Sequence, residues 1–455
     1  MTLMKSLLLG SAAALVTVAA AQAADLPTKK GAPAAEYVRI CHVTANGTPI
    51  TGFVLPGSDT CFKISGVVYA NYSIGNVADH YTYLTSGGVG AGVYTGVIKA
   101  TDRSDIGLGA RGQVNFEAVN NTALGPLYST VQAQGNYYIG GIGGDNGSGA
   151  GVGLPSNGFR LDDAYINVAG ITAGIHGSFY DYLTGISYWD DLISPDHTGG
   201  QGTPLLAYTA SFGGGISLTL SVERPEILND FVDTAPAGVR APDFVAAIDV
   251  KQGWGNAHLA GVAHNVRQDN GSGGASSIDQ WGYGIIGGVT VNLPMLGAGG
   301  DVKVQGVWTH EAIDYSGLTS PGFVGNTMNA NGTQVVLGSA YYDTTNAAWS
   351  KPTAWSLAGA VDIPVGPTLV ITPEISYGQV SWSDNPVQIS KNTEQWMGGF
   401  TTVWTPVKNL SFALDLLYGS THQDRPTNWN TTSTGTPWKA NSDGFNGRLT
   451  VARTF

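Results

Sequence analysis

The sequence predicts an all-β chain: a 16-stranded antiparallel transmembrane β-barrel with short periplasmic turns and long extracellular loops. Three observations predict it. From Cys61 onward, apolar and polar residues alternate with the period of a strand whose two faces meet different solvents. Short turns and long polar connections follow one another in strict succession, which puts every short turn at one end. The chain also closes on such a segment, Asp443 to Phe455. There Phe455, Arg453, Val451, Leu449, Gly447 and Phe445 share one parity, and Thr454, Ala452, Thr450, Arg448, Asn446 and Gly444 the other.

At the amino terminus, Lys5 precedes the apolar run Leu7 to Ala21, which ends in Ala21-Gln22-Ala23. A positive start, an apolar stretch and an A-x-A site make a secretory signal peptide, 1–23. The alternative is a membrane anchor, but a spanning helix needs about 20 apolar residues and this run is shorter. No later stretch approaches that length. Residues 24–60 read as an amino-terminal periplasmic extension and 61–455 as the barrel. Charged residues make up 12% of the chain, about half the usual share for globular domains, and glycine fills 65 of 455 positions. Removing the leader takes away only Lys5, leaving 20 basic residues against 33 acidic. That balance argues against a nucleic-acid partner. The two cysteines are Cys41 and Cys61. In an exported chain an even count points to a disulfide; two buried free thiols are the other reading. With only His42 close by, a metal site is poorly supported.

Strand one runs from about Phe62 to Ile74, with Phe62, Ile64, Val68 and Tyr72 outward and Lys63, Ser65, Tyr69 and Asn71 inward. Strand two, about Arg103 to Asn120, has the cleanest alternation. Ile106, Leu108, Ala110, Val114 and Phe116 face out; Asp105, Arg111, Gln113, Asn115 and Glu117 face in. The turn 121–125 leads to strand three, where Tyr128, Thr130, Gln132, Gln134 and Asn136 share a face. Strands four and five, about 159–169 and 171–177, join at Gly170. Arg160 and Asp162 break parity there, which predicts a bulge or a loop end. The later pairs turn at 213–215, 253–255, 294–300, 365–367 and 406–409, and the segment 443–455 is strand sixteen. A barrel this wide holds an aqueous lumen. Closing the sheet pairs every backbone group, as a bilayer demands. Outward aromatics near strand ends, among them Tyr72, Phe116, Phe212, Phe244, Trp355, Tyr377, Trp396, Trp404, Tyr418, Phe445 and Phe455, form interfacial girdles.

Four features resemble the porin family of alphaproteobacteria of the Rhizobiales type. They are the mature start Ala24-Asp25-Leu26-Pro27, the stretch Lys29 to Val38, the Cys41/Cys61 pair preceded by Pro56-Gly57-Ser58-Asp59-Thr60, and the strand Arg103 to Glu117. The resemblance covers essentially the whole chain and departs most in the loops, where 314–352 is long. It implies a trimeric general diffusion porin of the outer membrane, a third loop folded into the lumen, and a Cys–Cys bridge. Expected partners are outer-membrane lipid and lipopolysaccharide, other copies of the chain in a homotrimer, and small hydrophilic solutes. No cofactor and no metal is expected.

The third long connection, Ser178 to Pro204, mixes aromatics with carboxylates. Aromatics would pack it against the inner wall. Asp181, Asp190, Asp191 and Asp196 are then the candidate acidic lining of a constriction; the alternative is an extracellular loop resting on its neighbours. Inward parity places Lys63, Arg103, Arg111 and Arg448 on the adjoining strands one, two and sixteen, a candidate basic wall. Charges of opposite sign across a narrow pore sort solutes by charge and dipole. Each cation could instead pair with a lumen acid such as Asp105, Glu117, Asp249 or Glu374. His258 and His264 face inward on strand nine, six positions apart, without a third ligand. A barrel enzyme needs a nucleophile and base at one level of the wall, and no such group is evident. The remaining alternatives are a substrate-selective channel for sugar or phosphate and a structural or adhesin barrel.

Overall fold

The computed structural model describes residues 39–45, 47–74, 81–86, 93–99, 106–139, 156–184, 202–224, 240–269, 277–318, 326–327, 339–343, 347–383, 390–425, 427 and 440–455. The expected signal peptide lies outside these residues, as do Arg103, Asp190, Asp191 and Asp196.

Sixteen antiparallel strands close into one barrel. They are β1 (Cys61–Ile74), β2 (Ile106–Thr122), β3 (Gly125–Ile139), β4 (Ser156–Val168), β5 (Ile171–His176), β6 (Thr203–Gly213), β7 (Ile216–Glu223) and β8 (Asp243–Gln252), then β9 (Gly255–Asp269), β10 (Ser277–Asn292), β11 (Asp301–His310), β12 (Pro352–Pro364), β13 (Leu369–Trp382), β14 (Asn392–Val407), β15 (Leu410–Gln423) and β16 (Asn441–Thr454). Each pairs with the next, and β16 pairs with β1 from Gly447↔Ile74 to Thr454↔Val67. The terminal aromatic completes the seam: Phe455 exchanges backbone hydrogen bonds with Gly66 at 2.9 and 3.1 Å. A Cβ on Gly66 would lie 2.5 Å from the Phe455 ring, so the ring needs a glycine beneath it. Among the described residues there is no α-helix, only two single-turn 3-10 helices.

Parity holds along the strands. Ile64, Val68, Tyr72, Leu108 and Phe116 are exposed on the outer surface, where a bilayer would cover them. The outward aromatics form two bands. Tyr72, Phe244, Trp281, Trp308, Trp355, Trp396, Tyr418 and Phe445 lie toward the long-loop ends; Phe116, Phe212, Trp254, Trp404 and Phe455 lie toward the short turns. Neighbouring strands pair their rings, as in Trp355–Tyr377 at 5.3 Å and Trp396–Tyr418 at 5.6 Å. The parity break on β4 is a bulge: Gln132 pairs with Asp163 and Ala133 with Leu161, leaving Asp162 extra. The β6–β7 turn shows why glycine is used. Gly213, Gly214 and Gly215 all take positive φ, and a Cβ on Gly215 would lie 1.8 Å from the Lys251 carbonyl.

A hairpin, Ile40–Ala45 with Thr48–Val54, precedes the barrel. It pairs with the foot of β1 at Phe53↔Phe62 and Val54↔Cys61, beyond the point where β16 ends. Cys41 and Cys61 form a disulfide. Ala45 and Ile50 pack with Val119, Tyr128 and Tyr165, which sit on the inner faces of β2, β3 and β4. The hairpin therefore turns under the short-turn mouth rather than trailing away from it.

Candidate pore and its inward-folded loops

The third long connection begins where β5 stops at His176, after six residues. Ser178 donates through Oγ to Glu223 Oε2 at 2.6 Å, and the Phe179 amide donates to Oε1 at 3.1 Å. These bonds carry the chain inward to the end of β7. The Asp181 amide returns to the Ser178 carbonyl at 3.3 Å, closing a turn that drives Tyr180 into the wall. Tyr180 is fully buried among Val245 and Ala247 of β8, Ala260 and Val262 of β9, Ile286 of β10 and Val307 of β11. All six are lumen-facing positions, where water would otherwise meet them.

Polar contacts extend the attachment. His258 of β9 bridges two elements, with Nε2 3.0 Å from the Tyr180 carbonyl and Nδ1 2.8 Å from Asp249. Tyr182 stacks on that imidazole at 5.5 Å. Its hydroxyl meets Asn256 Oδ1 and lies 2.6 Å from Thr290 Oγ1. The Leu183 amide donates to Gln305 Oε1 at 2.7 Å. Six residues, Ser178 to Leu183, thus fasten to strands β7 to β11 from inside. Burial pushes the Tyr180 and Tyr182 hydroxyls above the ordinary tyrosine range.

Glycines make the room. A Cβ on Gly288 would lie 2.2 Å from the Tyr182 ring, and one on Gly284 would lie 3.1 Å from the Tyr180 hydroxyl. Both face the lumen on β10. The stretch Trp281 to Gly288 reads WGYGIIGG, so the signal is visible in the sequence: small residues at inward positions of a wide barrel mark where a loop lies.

The expected basic residues that fall within the described residues occupy the other side. β9 stands eight strands from β1 around the ring of sixteen. Lys63 forms an ion pair with Glu117 at 2.5 Å, and Tyr128 donates to the same carboxylate. Arg111 donates from Nε to Asn136 Oδ1 at 3.0 Å. Arg448 is buried and sits across the strand pair from Asp415. Arg160, beside the bulge, pairs with Asp162 at 2.6 Å. Strands β16, β1 and β2 are neighbours, so Arg448, Lys63 and Arg111 share one wall segment. Asp181 lies on the loop side, half-buried. Asp190, Asp191 and Asp196 lie outside the described residues. His258 and His264 each face an aspartate and a loop rather than one another.

A closed sixteen-stranded barrel with a loop fastened inside it is one fold with several uses. The porin subfamily profile matches residues 25–446. The chain belongs to the porin family. Similar porins include Porin Omp2a of Brucella ovis, 31% identical over 82% of this chain and 97% of that one. Porin Omp2b of Brucella suis biovar 1 is 30% identical over 82% of this chain and 92% of its own. The outer membrane channel DcaP of Acinetobacter baumannii shares the fold, with a TM-score of 0.56 over 89% of this chain and 99% of that one, at 13% identity. The porin is thus a multi-pass β-barrel of the outer membrane.

Proposed function

We propose that this porin is a general diffusion channel for small hydrophilic solutes and ions, working passively, without cofactor and without catalysis. The observation that carries the reading is the run Ser178 to Leu183, seated inside the barrel across β7 to β11. It narrows the lumen from one side and leaves the opposite wall to water. Asp181, Asp190, Asp191 and Asp196 then form the acidic side of the constriction. Arg111 and Arg448, with Arg103 and the paired Lys63, form the basic side. The chain acts as a homotrimer in outer-membrane lipid and lipopolysaccharide, after cleavage of residues 1–23. Residues 24–60 remain on the periplasmic side, anchored by the hairpin.

Single-channel recording in a planar bilayer tests this. Large, stable steps grouped in threes are the expected result. Charge reversal at Asp190 and Asp191 should then weaken any preference for cations. A folded barrel without conductance would contradict the reading. A current block that saturates with one sugar or with phosphate would make the channel substrate-selective instead.

A further inference from the structure

We infer that residues 311–318, the opening of the sixth long loop between β11 and β12, are the second half of the constriction, and that their single turn holds the third loop in place. The inference rests on the reading of the third loop as the constriction. At Glu311, directly after β11, the chain takes φ +53, a left-handed conformation uncommon for a residue with a side chain. That bend turns the sixth loop inward instead of outward. Ala312 and Ile313 have no exposed surface, and a single 3-10 turn, Ile313–Ser316, follows against the inner wall.

The turn is fastened at several independent points. The Tyr315 hydroxyl donates to Asp243 of β8, a carboxylate that also lies 3.0 Å from His264 Nδ1 of β9. Ser356 of β12 donates to the Ser316 carbonyl at 2.7 Å. Leu318 occupies the notch of Gly378 on β13, where a Cβ would lie 2.5 Å from it. Gly282 on β10 makes the same allowance for the Glu311 carbonyl, at 2.0 Å. The loop's two ends are also tied together. Lys351 pairs with Glu311 at 2.8 Å, and the Glu311 amide donates to the Pro352 carbonyl at 2.9 Å.

The two loops meet at one contact. Tyr180 and Tyr315 pack edge to face at 5.0 Å, inside the same apolar cluster. Tyr180 therefore has the strands on one side and the sixth loop on the other. Residues 135 positions apart in sequence close over each other, and the third loop cannot leave the wall without parting from Tyr315. Tyr315 is a positioning residue: it acts on the pore through Tyr180.

The test is single-channel recording on the refolded full-length porin and its variants. Tyr315→Ala removes both the ring and the hydrogen bond to Asp243. It should raise the fraction of time spent in a wider, noisier state about tenfold, the scale of losing one hydrogen bond to a charged group. Tyr315→Phe keeps the ring against Tyr180 and should fall between Tyr315→Ala and the parent. Gly378→Val provides a second route should Tyr315→Ala refold poorly, since it displaces Leu318 from a different strand. It should produce the same wider state. Variants that refold but match the parent in conductance and noise would overturn the inference and leave the porin reading intact. A parent protein that refolds without conducting would overturn the porin reading beneath it.

Discussion

The inner wall of this barrel has two halves that differ in chemistry, and the difference shows where the water runs. From β8 to β11 the lumen-facing side chains include Val245, Ala247, Ala260, Val262, Ile286 and Val307, all buried. From β1 to β4 they include Lys63, Asn71, Arg111, Gln113, Thr130, Gln132, Gln134 and Asn136. The alternation is the same and the barrel is the same. Apolar groups facing an open lumen would lose the free energy that burial supplies, about 25 cal/mol for each Å². The apolar half is stable because two loops cover it. The polar half is covered only at its foot, where the hairpin packs on Val119, Tyr128 and Tyr165.

The largest test of that contrast is Tyr180→Ala. Removing a buried aromatic typically costs about 3–5 kcal/mol, here drawn from the seating of the third loop. Limited proteolysis of the refolded porin should then cut between residues 177 and 202 while the barrel stays intact. Unchanged resistance would break the comparison. The disulfide comes next, because the hairpin it fixes stands at the foot of the polar half. Reducing Cys41–Cys61 should lower stability by about 3 kcal/mol, as expected for a loop of this size, visible as an earlier midpoint in denaturant. Gly288→Val should cost about 1–3 kcal/mol through overpacking against Tyr182, again read by cleavage of the third loop. Lys63→Ala should change stability by less than about 1 kcal/mol, since its ion pair with Glu117 is partly exposed. Its effect on ion selectivity, measured as reversal potential in a salt gradient, should be smaller than that of Arg111→Glu.

The barrel was legible because strand parity is a local property. Each of the short turns lies where glycine, proline or asparagine interrupts the alternation, and the break at Arg160 and Asp162 is the β4 bulge. The aromatics of the third loop were legible too, since Phe179, Tyr180 and Tyr182 have no reason to sit together in a water-exposed loop. The fate of single charges was not. Lys63 finds Glu117 because β1 and β2 pair in one particular register, and no alternation pattern fixes which inward residue stands opposite which. The sixth loop was missed for a related reason. Its inward turn depends on Asp243 of β8, far before it in sequence, and on Ser356 and Gly378, a cross-strand pair of β12 and β13 well after it. The inward glycines on β10 and β13 were the readable trace of it, but they read as ordinary strand glycines until something is seen to occupy their notches.

Two loops cover the inner wall from β8 to β11, whereas the wall around Gln113, above the hairpin, is open to water. The chain has no free cysteine, so a single introduced thiol reports on its own surroundings. Gln113→Cys places one on the polar half and Val262→Cys one beneath Tyr180. Each variant would be exposed to a charged, membrane-impermeant thiol reagent during single-channel recording. Rapid modification at 113, seen as a drop in current, with protection at 262 is the predicted result. Equal rates at the two positions would contradict it, because the apolar half would then be facing water.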